Sequence, residues 1–182
     1  MIDLIKPITI VLGPTAIGKS EIAIQLAKKN KGIIISADAY QVYKGMDIGT
    51  AKVSKQDQSI VPHYLIDIKK PNEAYSVFDF LEQTQSIIST VSPQTPIIIC
   101  GGTGFYLYSF LYDFKFNKEL AQNATIRKNI EQDIEHYGLD TMWKKLTTFD
   151  PLLTKTIPPQ NINRIIRGLE IIELTGKKPS SF

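Results

Sequence analysis

Gly13-Pro14-Thr15-Ala16-Ile17-Gly18-Lys19-Ser20 is a complete G-x-x-x-x-G-K-[ST] loop, set directly between an apolar run and a helical pattern. Residues 7–12 read as a short strand of buried type. From Lys19 to Asn30, Ile22, Ala23, Leu26 and Ala27 recur at helical spacing. Gly13 and Gly18 let the backbone curl, so that its N–H groups converge on a phosphate chain. Lys19 adds a point charge for the terminal phosphates, and the Ser20 hydroxyl suits a Mg²⁺ ion. Strand, loop and helix in this order predict that the chain binds a phosphorylated ligand.

Strand and helix signals go on alternating outward from the loop. Residues 31–36, with Ile33, Ile34 and Ile35, predict a second strand, 63–68 a shorter third and 96–100 a fourth. Residues 76–91 read as a helix, with Val77, Phe80, Leu81, Ile87 and Ile88 on its apolar side and Ser76 as an N-cap facing Asp79. Another helix begins at Gly104. Such alternation implies right-handed β-α-β units. The expected fold is therefore α/β, a P-loop NTPase-like parallel sheet with helices on both faces. Ligands of such sheets sit beyond the carboxyl ends of the strands. Segments 13–20, 36–50 and 101–104 occupy those ends and are expected to converge on one site.

From about Asp113 the pattern becomes helical. Ile126, Ile130 and Ile134 mark an amphipathic helix over 123–137. A second helix is expected over 139–149 and a third over 161–174, closed by Gly176. The expected domains are an α/β core at 1–112, a small all-helical insertion at 113–160, and a helix at 161–182 returning to the core.

Composition sets outer bounds. The chain has 182 residues, enough for one full core and a small inserted unit. Its 21 Lys and Arg against 18 Asp and Glu give a net charge of +3, with no basic tract dense enough to announce nucleic acid by charge alone. The apolar stretch at 97–112 is broken by Gly101, Gly102 and Gly104, so no membrane span is expected. A single cysteine, Cys100, excludes an internal disulfide and fits a reducing, cytoplasmic setting.

A P-loop alone admits ATPases, GTPases, kinases and transferases. Hydrolytic members usually end the strand before the second glycine-rich segment in a carboxylate that helps hold Mg²⁺. Here Ile97-Ile98-Ile99-Cys100 runs straight into Gly101-Gly102-Thr103-Gly104. The acidic candidate instead follows the second strand, at Asp38. A carboxylate there is placed to accept a proton from an attacking group, or equally to cap a turn.

The blocks Gly13 to Ser20, Ile35-Ser-Ala-Asp-Ala-Tyr-Gln through Lys52, Pro62-His-Tyr-Leu-Ile-Asp67, Gly101-Gly-Thr-Gly-Phe-Tyr-Leu107 and Arg164-Ile-Ile-Arg-Gly-Leu-Glu170 occur in this order. Together they resemble the tRNA dimethylallyltransferase (tRNA isopentenyltransferase) family, over essentially the whole chain. The resemblance implies transfer of a dimethylallyl group from dimethylallyl diphosphate to N6 of the adenine beside the anticodon of tRNA. It implies that residues 13–20 hold the diphosphate, with Mg²⁺ at Ser20, and that Asp38 is the general base. Thr103 and Arg167 would meet the charge growing on the leaving diphosphate. Asp38, Ala39, Tyr40, Gln41 and Thr103 would contact the extruded base. Arg127, Gln160, Asn161, Ile162, Asn163 and Arg164 would contact the tRNA.

Several of these residues keep a plainer alternative. Arg127 also reads as a solvated charge, His63 as a structural residue at a strand start, Tyr106 and Trp143 as core. Tyr40, Tyr43 and Tyr106 are open to base stacking. Arg164 and Arg167, three apart, share a helix face and favour an anion contact. Two residues depart from the family pattern: Ala39 replaces a common serine, and Gly168 a usual alanine. Relatives of this kind run on for roughly a hundred residues past the point matching Phe182, about one small domain. The chain is accordingly read as truncated at its C-terminus, with the rest of the core absent, and as a monomer. An adenylate isopentenyltransferase, a P-loop small-molecule kinase using ATP, and an inactive diphosphate- or RNA-binding fragment are the competing readings.

Overall fold

A computed structural model of the chain describes residues 8–114 and 120–182. Pro7, expected to open the first strand, and residues 115–119, inside the expected insertion, lie outside the described residues. Two compact units result, Met1–Phe114 and Lys115–Phe182.

The first unit is built on four parallel strands: β1 (Ile8–Leu12), β2 (Ile33–Ser36), β3 (His63–Tyr64) and β4 (Ile97–Gly101), in the spatial order β1-β4-β2-β3. In register, Ile97 sits beside Ile8 and Ile33, and Ile99 beside Ile10 and Ile35. Side chains alternate across a sheet, so Ile34, Ile98 and Cys100 form one face. Helix α1 (Lys19–Asn30) packs there through Ala23 and Ala27, both fully buried, whose small side chains bring the helix axis close to the strands. Ile22, also part of the expected apolar spacing, is exposed. The opposite set, Ile33, Ile35, Ile97 and Ile99, is equally buried, so both faces of the sheet are covered.

Helix α2 (Lys55–Gln58) is a single turn capped by Ser54. Helix α3 (Val77–Thr90) begins with the expected capping box: Ser76 N–H donates to Asp79 Oδ2 at 2.8 Å, and Asp79 N–H to Ser76 Oγ at 3.3 Å. Helix α4 (Gly104–Leu111) follows β4 directly. Tyr106 on α4 stacks on Phe80 at 4.7 Å and meets Tyr75 edge-on, and burial pushes its hydroxyl up to about 12, so it belongs to the core. The expected strand over 63–68 shrinks to two residues because Leu65 and Asp67 take left-handed φ values of 62° and 57°, which no strand admits.

Gly101 fixes how the ends of β2 and β4 meet. A Cβ there would lie 2.0 Å from the Ala37 carbonyl oxygen, a backbone atom that cannot step aside. Gly101→Ala is expected to destabilise the first unit by about 1–3 kcal/mol, read as a lower melting temperature. An unchanged melting curve would show that the two strand ends do not approach as described.

The second unit is helical: α5 (Ala124–Tyr137), α6 (Leu139–Phe149), α7 (Pro151–Thr154) and α8 (Ile162–Thr175), the last closed by Gly176. Ile130, Met142, Leu146, Ile165, Ile166 and Leu169 form its core, with Trp143 packed against them and its Nε1 donating to the Ile157 carbonyl at 3.4 Å. The sequence reading separates 113–160 from 161–182. In the structure the apolar face of α8 closes the same cluster as α5 and α6, which groups the three helices in one unit.

Asp150 ties this unit together without any exposure to solvent. It accepts from Leu153 N–H at 3.1 Å at the start of α7, and from Ser180 N–H and Oγ at 2.8 Å each. Burial alone would raise its carboxyl. The Ser180 and Leu153 hydrogen bonds and the nearby Lys178 outweigh that and hold it below the ordinary carboxylate value. A depressed folded-state pKa stabilises above the unfolded value and is lost as pH falls through the folded one. The melting temperature is therefore expected to be flat above about pH 5 and to fall in acid below about pH 4. Asp150→Asn should cost about 1.5–3 kcal/mol at neutral pH and flatten the acid limb. An acid limb identical in both proteins would refute this assignment.

Candidate active site

Segments 13–20, 36–50 and 101–104 do meet. Thr15, Ala16, Gly18, Lys19 and Ser20 from the loop, Asp38, Gln41 and Thr50 from the second segment, and Gly101 line one cavity of about 230 Å³. Its remaining wall is mostly apolar, including Ala23, Ile34, Val53, Ile66 and Cys100, and it also holds His63.

The loop wraps the N-terminus of α1. Gly18 is the N-cap residue at φ 85°, a left-handed backbone suited to glycine, and it has no side chain to occupy the first-turn N–H groups. Those donors and the positive end of the helix dipole favour an anion at this point. Ala16 also takes a left-handed φ of 68°. Lys19 Nζ donates to the Pro14 carbonyl at 2.5 Å, which folds its ammonium back over the loop. Ser20 lies in the first turn and lines the same cavity.

Asp38 fills the turn-capping role and leaves its second oxygen over. Its Oδ1 caps the following turn, accepting from Tyr40 N–H at 2.9 Å and Gln41 N–H at 3.2 Å. Among the described residues Oδ2 has no hydrogen-bond partner, so one carboxylate oxygen stays available to the cavity. Thr103, at the N-cap of α4, spends no side-chain bond on its own helix. Its Oγ1 accepts from Ala39 N–H at 2.9 Å, and its N–H donates to the Ala37 carbonyl at 3.2 Å, which joins the second and third segments. Gln41 is buried, and its Oε1 has no partner among the described residues. An unpartnered buried acceptor is costly unless something else satisfies it. Tyr40 is 63% exposed and lines a second, open groove of about 550 Å³ with Met46 and Ile48.

Lys52 and Asp67 act here without having been singled out in the sequence. The Lys52 side chain is 3% exposed and reaches Asp67 at 2.6 Å, Asp47 at 2.8 Å and the Tyr43 carbonyl at 2.5 Å; Lys55 binds the other Asp67 oxygen at 2.5 Å. Burial opposes both charges. The mutual hydrogen bonds win, holding Lys52 above and Asp67 below their ordinary values. This network pins the 38–52 segment that carries Asp38 and Gln41. No spacing in the sequence signals it, because partners fifteen residues apart meet through irregular loop backbone. His63 Nδ1 donates to the Val61 carbonyl at 2.8 Å, and burial lowers its pKa, which suits a structural role on the cavity wall.

The remaining expected residues lie in the second unit. Gln160, Ile162, Asn163 and Arg164 are exposed at the start of α8, and Asn161 caps that helix by accepting from Arg164 N–H at 3.2 Å. Arg127 on α5 and Arg167 on α8 both reach the buried carboxylate of Glu170, at 3.6 and 2.7 Å. Among the described residues no cluster of three or more His, Cys, Asp or Glu forms a self-sufficient metal site, and no helix is long and apolar enough to cross a membrane.

A family model described as IPP transferase matches residues 41–182. The tRNA dimethylallyltransferases of Bacillus cytotoxicus and Bacillus subtilis (strain 168) are each 42% identical over 176 residues, covering 96% of this chain and 55% and 56% of theirs. The chain thus spans about half the length of the curated relatives it matches. Among solved structures, a tRNA isopentenylpyrophosphate transferase from Bacillus halodurans is 38% identical with a TM-score of 0.59, over 96% of this chain and 57% of the other. A eukaryotic dimethylallyltransferase acting on tRNA is 31% identical with a TM-score of 0.76, over 97% and 43%.

Proposed function

This chain belongs to the IPP transferase family, and on that premise we propose that it moves a dimethylallyl group from dimethylallyl diphosphate to N6 of the adenine beside the anticodon in tRNA. One observation carries the proposal. A phosphate-type loop and a carboxylate with one uncommitted oxygen share a single cavity, and β4 enters that cavity with Gly101 where a hydrolase would carry an acid.

The chemistry follows from the side chains. The lone pair of adenine N6 is delocalised into its ring, so the amine attacks well only as its proton is taken. Asp38 Oδ2 accepts that proton while N6 bonds to C1 of the prenyl group and the C1–O bond breaks. The α1 N-terminus and Lys19 receive the charge that grows on the departing diphosphate. Thr103 Oγ1 already accepts from Ala39, so its own proton is free to donate to the same oxygens. The resemblance adds Arg167 to this group.

The Ser20 hydroxyl fits a Mg²⁺ that keeps most of its shell as water and phosphate oxygen, as this ion prefers. When bound, it would neutralise diphosphate charge. Gln41 offers its unpartnered oxygen to an N–H of the adenine edge, with Ala39 and Tyr40 beside it. A stacked base reaches such a site only by extrusion from the loop. Arg127 and residues 160–164 are proposed to hold the RNA, which would have the protein work in the cytoplasm.

Acceptor competition tests the proposal. Labelled prenyl diphosphate should be consumed with unmodified tRNA and not with AMP, and ATP should give no phosphoryl transfer. Preference for AMP would mean an adenylate isopentenyltransferase, and phosphoryl transfer a kinase.

A further inference from the structure

Like Asp150, Glu170 is a fully buried acid of the second unit that the proposed chemistry does not use. It sits on α8 with no solvent exposure, yet its carboxylate has cationic partners. Oε1 accepts from Asn123 N–H at 2.7 Å, just before α5. Oε2 receives Arg167 Nη1 at 2.7 Å and faces Arg127 Nη1 at 3.6 Å. Arg167 Nη2 donates to the Leu120 carbonyl. The two arginines come from different helices and share one carboxylate oxygen. Without it, two like charges would stand side by side, half-buried, and repel each other.

We propose that Glu170 is a positioning residue, holding Arg127 and Arg167 as a preset pair of forks for phosphate oxygens. The geometry leaves them usable. Arg167 spends two of its five N–H donors on Glu170 and Leu120. Its side chain remains 32% exposed, and that of Arg127 24%. A guanidinium that is already tethered and still part-exposed loses little freedom when it meets a phosphate, and that is where preorganisation adds affinity. The inference rests on the proposed RNA and diphosphate chemistry for its ligand. The ordering of the arginines is independent of that reading.

The decisive variant is Glu170→Gln, because simple electrostatics and positioning predict opposite signs. Removing a negative charge beside two arginines should strengthen phosphate binding if Glu170 is only a counter-charge. Positioning predicts weaker binding, by about tenfold, in spite of the added positive charge. The probes are a labelled anticodon-loop hairpin read by anisotropy and Mg²⁺-pyrophosphate read by calorimetry, which separate an RNA phosphate from a leaving diphosphate. Arg167→Lys keeps the charge, loses the fork and leaves Glu170 paired with Arg127. It should weaken the same probe as much, and adding Glu170→Gln to it should change little more. It also serves if Glu170→Gln fails to fold.

Arginine side-chain ¹⁵N spectra of the 182-residue chain give a readout that needs no ligand. Arg127 and Arg167 should show hindered guanidinium rotation and Arg164 should not, with the hindrance lost in Glu170→Gln. Freely rotating guanidinium groups in the unaltered chain, or equal or tighter phosphate binding by a folded Glu170→Gln, overturn the inference. Hindered arginines together with no binding of either probe overturn the proposed function instead, and with it the phosphate role of the pair.

Discussion

Asp38→Asn is expected to lower prenyl transfer by about 10²–10⁴-fold while leaving the surrounding loop folded. The reason lies in the division of labour between the two carboxylate oxygens. Oδ1 caps the turn through Tyr40 and Gln41 N–H, and an asparagine oxygen accepts those same bonds. In the proposed mechanism Oδ2 accepts the proton, and an amide nitrogen in its place cannot. Asp38→Ala removes both functions, so it should lose activity to the same degree and about 1 kcal/mol of stability besides. Melting curves and single-turnover rates on both variants separate the roles. Full activity in Asp38→Asn would restrict Asp38 to the turn and require another base.

Lys19→Met carries the second large effect. The methionine keeps the aliphatic stem and removes the ammonium, so Mg²⁺-pyrophosphate should bind about 10²-fold more weakly by calorimetry. Global stability should move by no more than about 0.5 kcal/mol, because this side chain lies outside the buried core and anchors only to the Pro14 carbonyl. Unchanged pyrophosphate affinity would mean that the α1 N-terminus alone holds the anion. A large drop in melting temperature would mean that Lys19 is a structural pin for the loop.

What could be read from the chain in advance follows how local the cause is. The P-loop, the β2 and β4 isoleucine runs and the Ser76 capping box are settled within a few residues, and each stands where its pattern places it. The third strand looked longer than it is, because an apolar run carries no sign that Leu65 and Asp67 turn left-handed. Asp67 meets its distant partners Lys52 and Lys55 only in the folded chain. Asp150 and Glu170 were invisible for the same reason: buried acids look like surface acids until the chain that satisfies them is folded around them. Tyr106, open to two readings in the sequence, was decided by Phe80 and Tyr75.

Convergence at the cavity was legible because parallel sheets gather strand ends on one edge. The cost of gathering them was not. Gly101 must be bare for β4 to pass Ala37, and Thr103 must forgo capping its helix to hold Ala39. Both sit within a short glycine-rich run that, from sequence, reads only as a loop. Family resemblance supplied the chemistry for Asp38, and the geometry supplied the reason that a capping aspartate can also be a base.

The central claim is most directly tested by incubating the chain with dimethylallyl diphosphate, Mg²⁺ and unmodified tRNA, then digesting the RNA and analysing its nucleosides by mass spectrometry. The account predicts that the adenosine beside the anticodon gains one five-carbon unit on N6, with diphosphate released in equal amount, and that Asp38→Asn abolishes the product. A folded chain that binds Mg²⁺-pyrophosphate but leaves every adenosine unmodified would contradict it.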